Sequence, residues 1–197
     1  ADRLVKKHLT NAHSQKGTLI KRQLTALTMS GCVTFTESLS GYDTVYVLRD
    51  RTFGTATKLC ALIRIRAAGL VYDVISCPSA YLGEDVCEHV LVPGAGLAVL
   101  SSTPLTDIRD IGERVNTERF CDKQALKAEK PYIREVTARI REFMALYSKT
   151  AAEAKRVHDE IEKYYIAAMD FELVDETADE MIYEIRKRAE DNRQCDM

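Results

Sequence analysis

The chain has no long hydrophobic run, no paired-cysteine motif and no decisive charge of either sign. Each absence removes a class of protein. No apolar stretch approaches the roughly 18 residues that a membrane-spanning helix needs. The N-terminal ADRLVKKHLTNAHSQKG has no apolar core of the kind a secretory signal carries. Lys and Arg total 28 against 30 Asp and Glu, a formal charge of -2, so net charge gives no reason to expect DNA or RNA. The six cysteines, Cys32, Cys60, Cys77, Cys87, Cys121 and Cys195, include no CxxC pair. Without a secretion signal they read as reduced thiols of a cytoplasmic protein. His8, His13, His89 and His158 are dispersed. Cys87 and His89 lie two apart, but no second ligand pair stands at zinc-site spacing, so no metal site is expected.

What is present is ordinary globular material. The 197 residues are 46% hydrophobic and 29% charged, enough for one domain with a sizeable core. A first residue of Ala rather than Met reads as a trimmed chain or a piece of a longer one.

Three stretches differ in pattern. Residues 1–25 are basic and weakly periodic and read as an N-terminal extension or linker. Residues 26–122 read as an α/β core. CVTFT fits a short strand. TVYVLR, Thr44 to Arg49, is β-branched and aromatic, as a buried strand should be. Thr57 to Ala68 follows as a helix, with Leu59, Leu62, Ile63 and Ala67 at helical spacing and Gly69 as its stop. LVYDVISC, HVLV and LAVLSS supply further strands, the last closed by Thr103-Pro104. Apolar strands joined by a helix imply a parallel sheet with right-handed crossovers. Ligands bind such sheets at the strands' carboxyl ends, which singles out the loops after Leu48, Ser76 and Leu100.

Residues 123–197 read as a helical arm completing the domain. From Pro131, a plausible first helical residue, a seven-residue apolar repeat runs through Ile133, Ile140, Tyr147, Ala154, Ile161 and Ala168. A second runs through Val136, Phe143, Thr150, Val157, Tyr164 and Phe171. This predicts a helix roughly 60 Å long with one narrow seam. Asp175 is a candidate N-cap for a second helix. Val174, Ala178, Met181, Ile182, Ile185 and Ala189 give that helix an apolar face. A short connection between them predicts an antiparallel hairpin, and the seam it leaves uncovered must meet the α/β core, another chain or a missing part of this one.

The stretch most suggestive of chemistry is RDRTFGTATKL, Arg49 to Leu59. It has the layout of a phosphate-binding loop: strand, Gly/Thr turn, lysine, helix. A working loop reads G-x-x-x-x-G-K-[ST]. Its glycines let backbone N–H groups curl round phosphate, and its hydroxyl holds Mg²⁺. With Lys58 in the lysine slot, the glycine positions hold Thr52 and Thr57 and the hydroxyl position holds Leu59. Registers that place Gly54 or Thr55 better lose the lysine. The acid expected at the end of a second strand to hold Mg²⁺ is absent, since LAVLSS ends in Ser101-Ser102. Arg49, Arg51 and Lys58 can still attract an anion to the helix N-terminus. On the residues alone, an ordinary strand-to-helix loop is the simpler account.

The wider order of segments resembles a bacterial, Firmicutes-type family of P-loop ATPase-like proteins of unknown physiological function, often built as two P-loop halves in tandem. ALTMSGCVTFTESL is similar to the family's lead-in, and DTVYVLRDRTFGTATKLCALI to its strand, loop and helix. AAGLVYDVISCP resembles its second strand. HVLVPGAGLAVLSSTP resembles the strand that carries the Walker B acid near Ser101. AEAKRVHDEIEKYYIAAMDFELVDE, Ala152 to Glu176, is the most specific match. The resemblance implies a three-layer, P-loop NTPase-like, mainly parallel sheet with a long C-terminal antiparallel helical hairpin. It implies a degenerate member or half, a pseudo-ATPase with a scaffolding, assembly or regulatory role. Gly54, Thr55, Thr57 and Lys58 are its vestigial phosphate loop. No residue is singled out as catalytic, and no cofactor is expected, ATP with Mg²⁺ being doubtful. The implied partner is a protein or a second P-loop half, met through the C-terminal helices; a homo-oligomer is compatible, and neither nucleic acid nor membrane is expected. Two alternatives stand: an atypical ATP-binding protein or ATPase using Lys58, and an unrelated α/β domain with a coiled-coil interaction arm.

Overall fold

The computed structural model describes residues 1–9 and 17–195, with side chains to residue 190; His13 and the side chain of Cys195 lie outside the described residues. The chain divides into two compact units, Ala1–Ala152 and Glu153–Met197.

The first unit is built on a six-stranded sheet. Its strands are β1 (Leu19–Lys21), β4 (Thr44–Arg49), β5 (Val74–Ser79), β6 (Gly83–Val92), β7 (Leu97–Ser102) and β8 (Glu113–Asn116), in the order β1-β5-β6-β7-β4-β8. β1 pairs with β5, and β4 with both β7 and β8, all in parallel. Within this sheet β6 alone among the described strands runs against its neighbours. The sheet is therefore mixed though mainly parallel. Short links suffice for β5–β6–β7, because antiparallel neighbours need no crossover. A separate hairpin, β2 (Thr25–Thr28) with β3 (Gly31–Thr34), precedes β4.

Strand alternation divides the core into two faces. Tyr46, Leu48, Val74, Val90, Val92, Leu97 and Val99 face one cluster, with Ala56, Cys60, Ile63 and Ala67 of helix α2 (Thr55–Gly69). Val47, Cys77, Leu91, Ala98 and Leu100 face the other, with Leu24, Leu39 and Ile108. Fully buried side chains such as Leu48, Ile63 and Leu100 each contribute about 1.5–3 kcal/mol of transfer free energy. Gly112 is required sterically: its φ is +62°, and a Cβ there would lie 2.3 Å from the Val45 carbonyl oxygen.

The N-terminal residues behave unlike a linker. Helix α1 (Asp2–His8) buries Val5, and the following Leu9 is buried in the α2-side core. Leu19–Lys21 adds an edge strand to the sheet. Other boundaries also differ from expectation. α2 starts at Thr55 rather than Thr57. Gly69 is its last helical residue, not its left-handed cap. That conformation falls on Val71, at φ +64°. Val71 and Tyr72 donate their N–H groups to the carbonyls of Ala68 and Ala67, closing the helix with a Schellman-type pair of bonds.

The long helix α3 spans Lys123–Ile166 and runs through Pro131 instead of starting there. Asp122 caps it, accepting the N–H groups of Gln124 and Ala125, so the first turn is satisfied eight residues earlier than the proline suggested. In the second unit α4 spans Phe171–Cys195. Asp170, not Asp175, is its cap, accepting the Leu173 N–H at 3.1 Å. The predicted helical hairpin is present, with its seams unburied. Phe143 and Tyr147 of the first unit are exposed, as are Val157, Ile161 and Tyr164 of the second. Every described side chain of α4 is exposed.

Candidate functional site

The loop after β4 sits where the sequence placed it, at the carboxyl edge of a central strand and opening α2. Its organiser is a residue the sequence reading passed over. Asp50 is 1% exposed, and its backbone N–H donates to the Ser102 carbonyl at 2.9 Å, extending the β4–β7 ladder. Its Oδ1 accepts the Thr52 N–H at 2.7 Å and the Thr52 hydroxyl; its Oδ2 accepts the Ala56 N–H at 2.7 Å. Free N–H groups and the helix dipole make such a turn attractive to anions. Here the chain's own carboxylate takes that position.

The four predicted site residues come together in this first turn. Gly54 is the N-cap position of α2, and Thr55 its first residue. The Thr55 hydroxyl lies 3.2 Å from that of Thr52 and 3.4 Å from the Cys121 sulfur. Thr57 turns its hydroxyl back onto the Gly54 carbonyl at 3.0 Å. Lys58 lies a turn into the helix, exposed, with its N–H bonded to the Gly54 carbonyl. Phe53 adopts φ +60°, a conformation that costs a non-glycine residue roughly 1–2 kcal/mol. Its ring meets Tyr81 edge-on at 6.4 Å.

Tyr81 leads to a buried polar cluster beside the loop. Its hydroxyl donates to Glu88 Oε1 at 2.8 Å and lies 2.9 Å from the Thr103 hydroxyl. Glu88 is 1% exposed, and its Oε2 has no hydrogen-bond partner; neither has the Ser101 hydroxyl. Burial raises the Glu88 pKa, and the bonds from Tyr81 and Thr106 only partly offset this. Burial pushes His89 down to about 3. The 4.0 Å approach of Glu88 Oε2 to His89 Nε2 is an ion-pair distance, but burial disfavours the charged form of each group. His89 Nδ1 accepts the Ser101 N–H at 3.1 Å, so the ring proton is on Nε2 and is donated to the Thr25 hydroxyl at 2.9 Å.

This cluster bears on the missing acid. β6 and β7 pair up to Val90 opposite Val99, and Glu88 and Ser101 each lie two residues beyond that pair. A carboxyl does stand at this edge, contributed by the antiparallel neighbour rather than by β7. It is enclosed, and burial disfavours its charged form. Cys87, a conceivable thiol nucleophile from its position near His89, is buried with its thiol pKa pushed up by burial. The His89 ring nitrogens are engaged elsewhere, so the pair does not act as a nucleophile and base. On α3, His158, Asp159 and Glu162 approach within 4.8 Å of one another, but Asp159 already accepts from Lys155 at 2.7 Å.

Among the described residues, no helix is long and apolar enough to cross a membrane. No family model, curated protein or solved structure matches the chain.

Proposed function

We propose that this chain is a degenerate P-loop NTPase-like domain, a pseudo-ATPase that keeps the scaffold for assembly or regulation in a cytoplasmic, reducing setting. The observation that carries the reading is Asp50. Its carboxylate accepts the N–H groups of Thr52 and Ala56, two of the donors a phosphate would need, and its negative charge repels a second anion. The side chain of Leu59 offers Mg²⁺ nothing, and Glu88 is buried with its charged form disfavoured. Without a metal, charge developing on a transferred phosphoryl group is not neutralised. The exposed apolar seams of α3 and α4 support the second half of the proposal: the helices meet a protein partner or an intact P-loop half.

The opposing reading, an atypical ATPase using Lys58, is separated by thermal melting with ATP and Mg²⁺. The expected result is no rise in melting temperature that depends on both Mg²⁺ and Lys58. A metal-dependent rise that Lys58→Ala abolishes overturns the proposal, since ligand binding to the folded state alone must stabilise it.

A further inference from the structure

The first five turns of α3 carry a second pattern beneath the apolar one. Lys123, Lys127, Lys130, Arg134 and Arg141 recur at spacings of four, three, four and seven residues. That periodicity places them on one helix face over roughly 27 Å. Thr137 fills the remaining position and is buried. The stripe forms one wall of a groove of about 890 Å³ in the first unit. The facing wall comes from the carboxyl-edge loops and adds Arg51 and Arg119. Glu118 is the one carboxylate in the lining, and it is drawn to Arg51 at 3.5 Å. Arg141 donates to the Pro104 carbonyl at 2.9 Å, fixing one end of the groove. Lys123, Lys127, Lys130 and Arg134 are exposed and have no ion pair among the described residues. Of the two acids within the stripe's span of the helix, Glu135 bonds Arg139 on another face and Glu129 stands off the stripe by helical spacing.

Seven cations against one acid is not a solvated mixed-charge face, in which opposite signs alternate at four-residue spacing. On a chain of net charge -2 it is a local excess that calls for a multivalent anion. We infer that this groove binds an oligophosphate: three or more phosphates in a row, held without a metal by the Lys127–Arg134 face of α3 and by Arg51 and Arg119 opposite. The volume is that of a small-molecule site. The lining contains no aromatic side chain, so it offers no platform for the base stacking on which single-stranded nucleic acid relies. Arginine forks and lysine point charges suit phosphate oxygens. The phosphates belong either to an inorganic chain or to the tail of a nucleotide; the groove chemistry is the same. The inference is independent of the pseudo-ATPase reading, because the loop amides play no part in it.

The test is titration calorimetry on the whole chain, at low salt with a chelator present. The probes are inorganic tripolyphosphate, ATP, a single-stranded oligonucleotide and an acidic peptide. The expected result is saturable tripolyphosphate binding that weakens as salt rises. Lys127→Ala and Arg134→Ala should each weaken it about tenfold, the loss of one charge-assisted hydrogen bond. Arg156→Ala, outside the groove, should leave it unchanged. Equal binding of ATP and tripolyphosphate assigns recognition to phosphates alone; tighter ATP binding through the same two residues assigns the source to a nucleotide. Absence of saturable binding overturns the inference, as does binding indifferent to Lys127 and Arg134. So does an oligonucleotide or peptide bound tenfold more tightly than tripolyphosphate. Binding absent with the chelator, restored by Mg²⁺ and abolished by Lys58→Ala overturns the inference, and the pseudo-ATPase reading with it.

Discussion

In the loop after β4, the Asp50 carboxylate meets three donors from Thr52 and Ala56. Along the first turns of α3, Lys123, Lys127, Lys130 and Arg134 meet no anion among the described residues. Both regions border the same carboxyl edge, and Arg51 belongs to the loop while lining the groove. The loop's polar groups are closed on one another and hold the fold. The helix's charges are left facing solvent and contribute nothing to it. A motif search looks for function in the first place, whereas the unsatisfied chemistry lies in the second.

That contrast can be broken most directly at Asp50. Asp50→Ala removes a helix cap and strands buried N–H groups, so urea unfolding should show a loss of about 3 kcal/mol. A loss below about 1 kcal/mol would mean that the carboxylate is not what closes the loop.

The next effect is in the pH dependence of the buried cluster. Burial pushes His89 down to about 3 in the fold, from an ordinary value of 6.5. Its contribution is fully present above pH 6.5 and is lost as pH falls from there toward about 3, with a limiting slope of about 1.4 kcal/mol per pH unit. Glu88 acts oppositely. Its pKa is raised above 4.5, so its contribution is complete below that value and fades as pH rises through its folded pKa. His89→Gln should flatten the acid limb in denaturant melts measured across pH. An unchanged limb would assign the acid loss to other groups.

The smallest effect is at the stripe. Lys130→Ala should alter stability by no more than about 0.5 kcal/mol, because no contact of the fold depends on its charge. A larger loss would erase the distinction between the two regions.

Much of the frame was legible because it obeys simple periods. TVYVLR and LAVLSS are β4 and β7 to the residue, since strands apolar on both faces stand out as runs. The long seam announced α3. β1 escaped because Leu19–Lys21 is three residues with no alternation to detect. β6 was seen as HVLV alone because its first half, GEDVCE, is acidic where it leaves the core. Pro131 carries a conspicuous helix-start signal, whereas the Asp122 cap that opens α3 carries a weak one. In the loop the glycine and lysine of a phosphate motif are conspicuous, whereas Asp50, five residues before α2, shows its part only once the turn brings it to the Thr52 and Ala56 N–H groups. The groove was hidden by averaging: a net charge near zero says nothing of a stripe in which one sign recurs on one helical face.

The lone reversed strand also sets how the chain can assemble. β5, β6 and β7 follow one another from Val74 to Ser102 as a continuous meander. β1 must find Val74 from Leu19, and β4 must find Leu97 from Thr44. Closing a short loop costs less chain entropy than closing a long one. The middle of the sheet is thus the part that neighbouring residues can build unaided, and its borders are stitched on by distant ones.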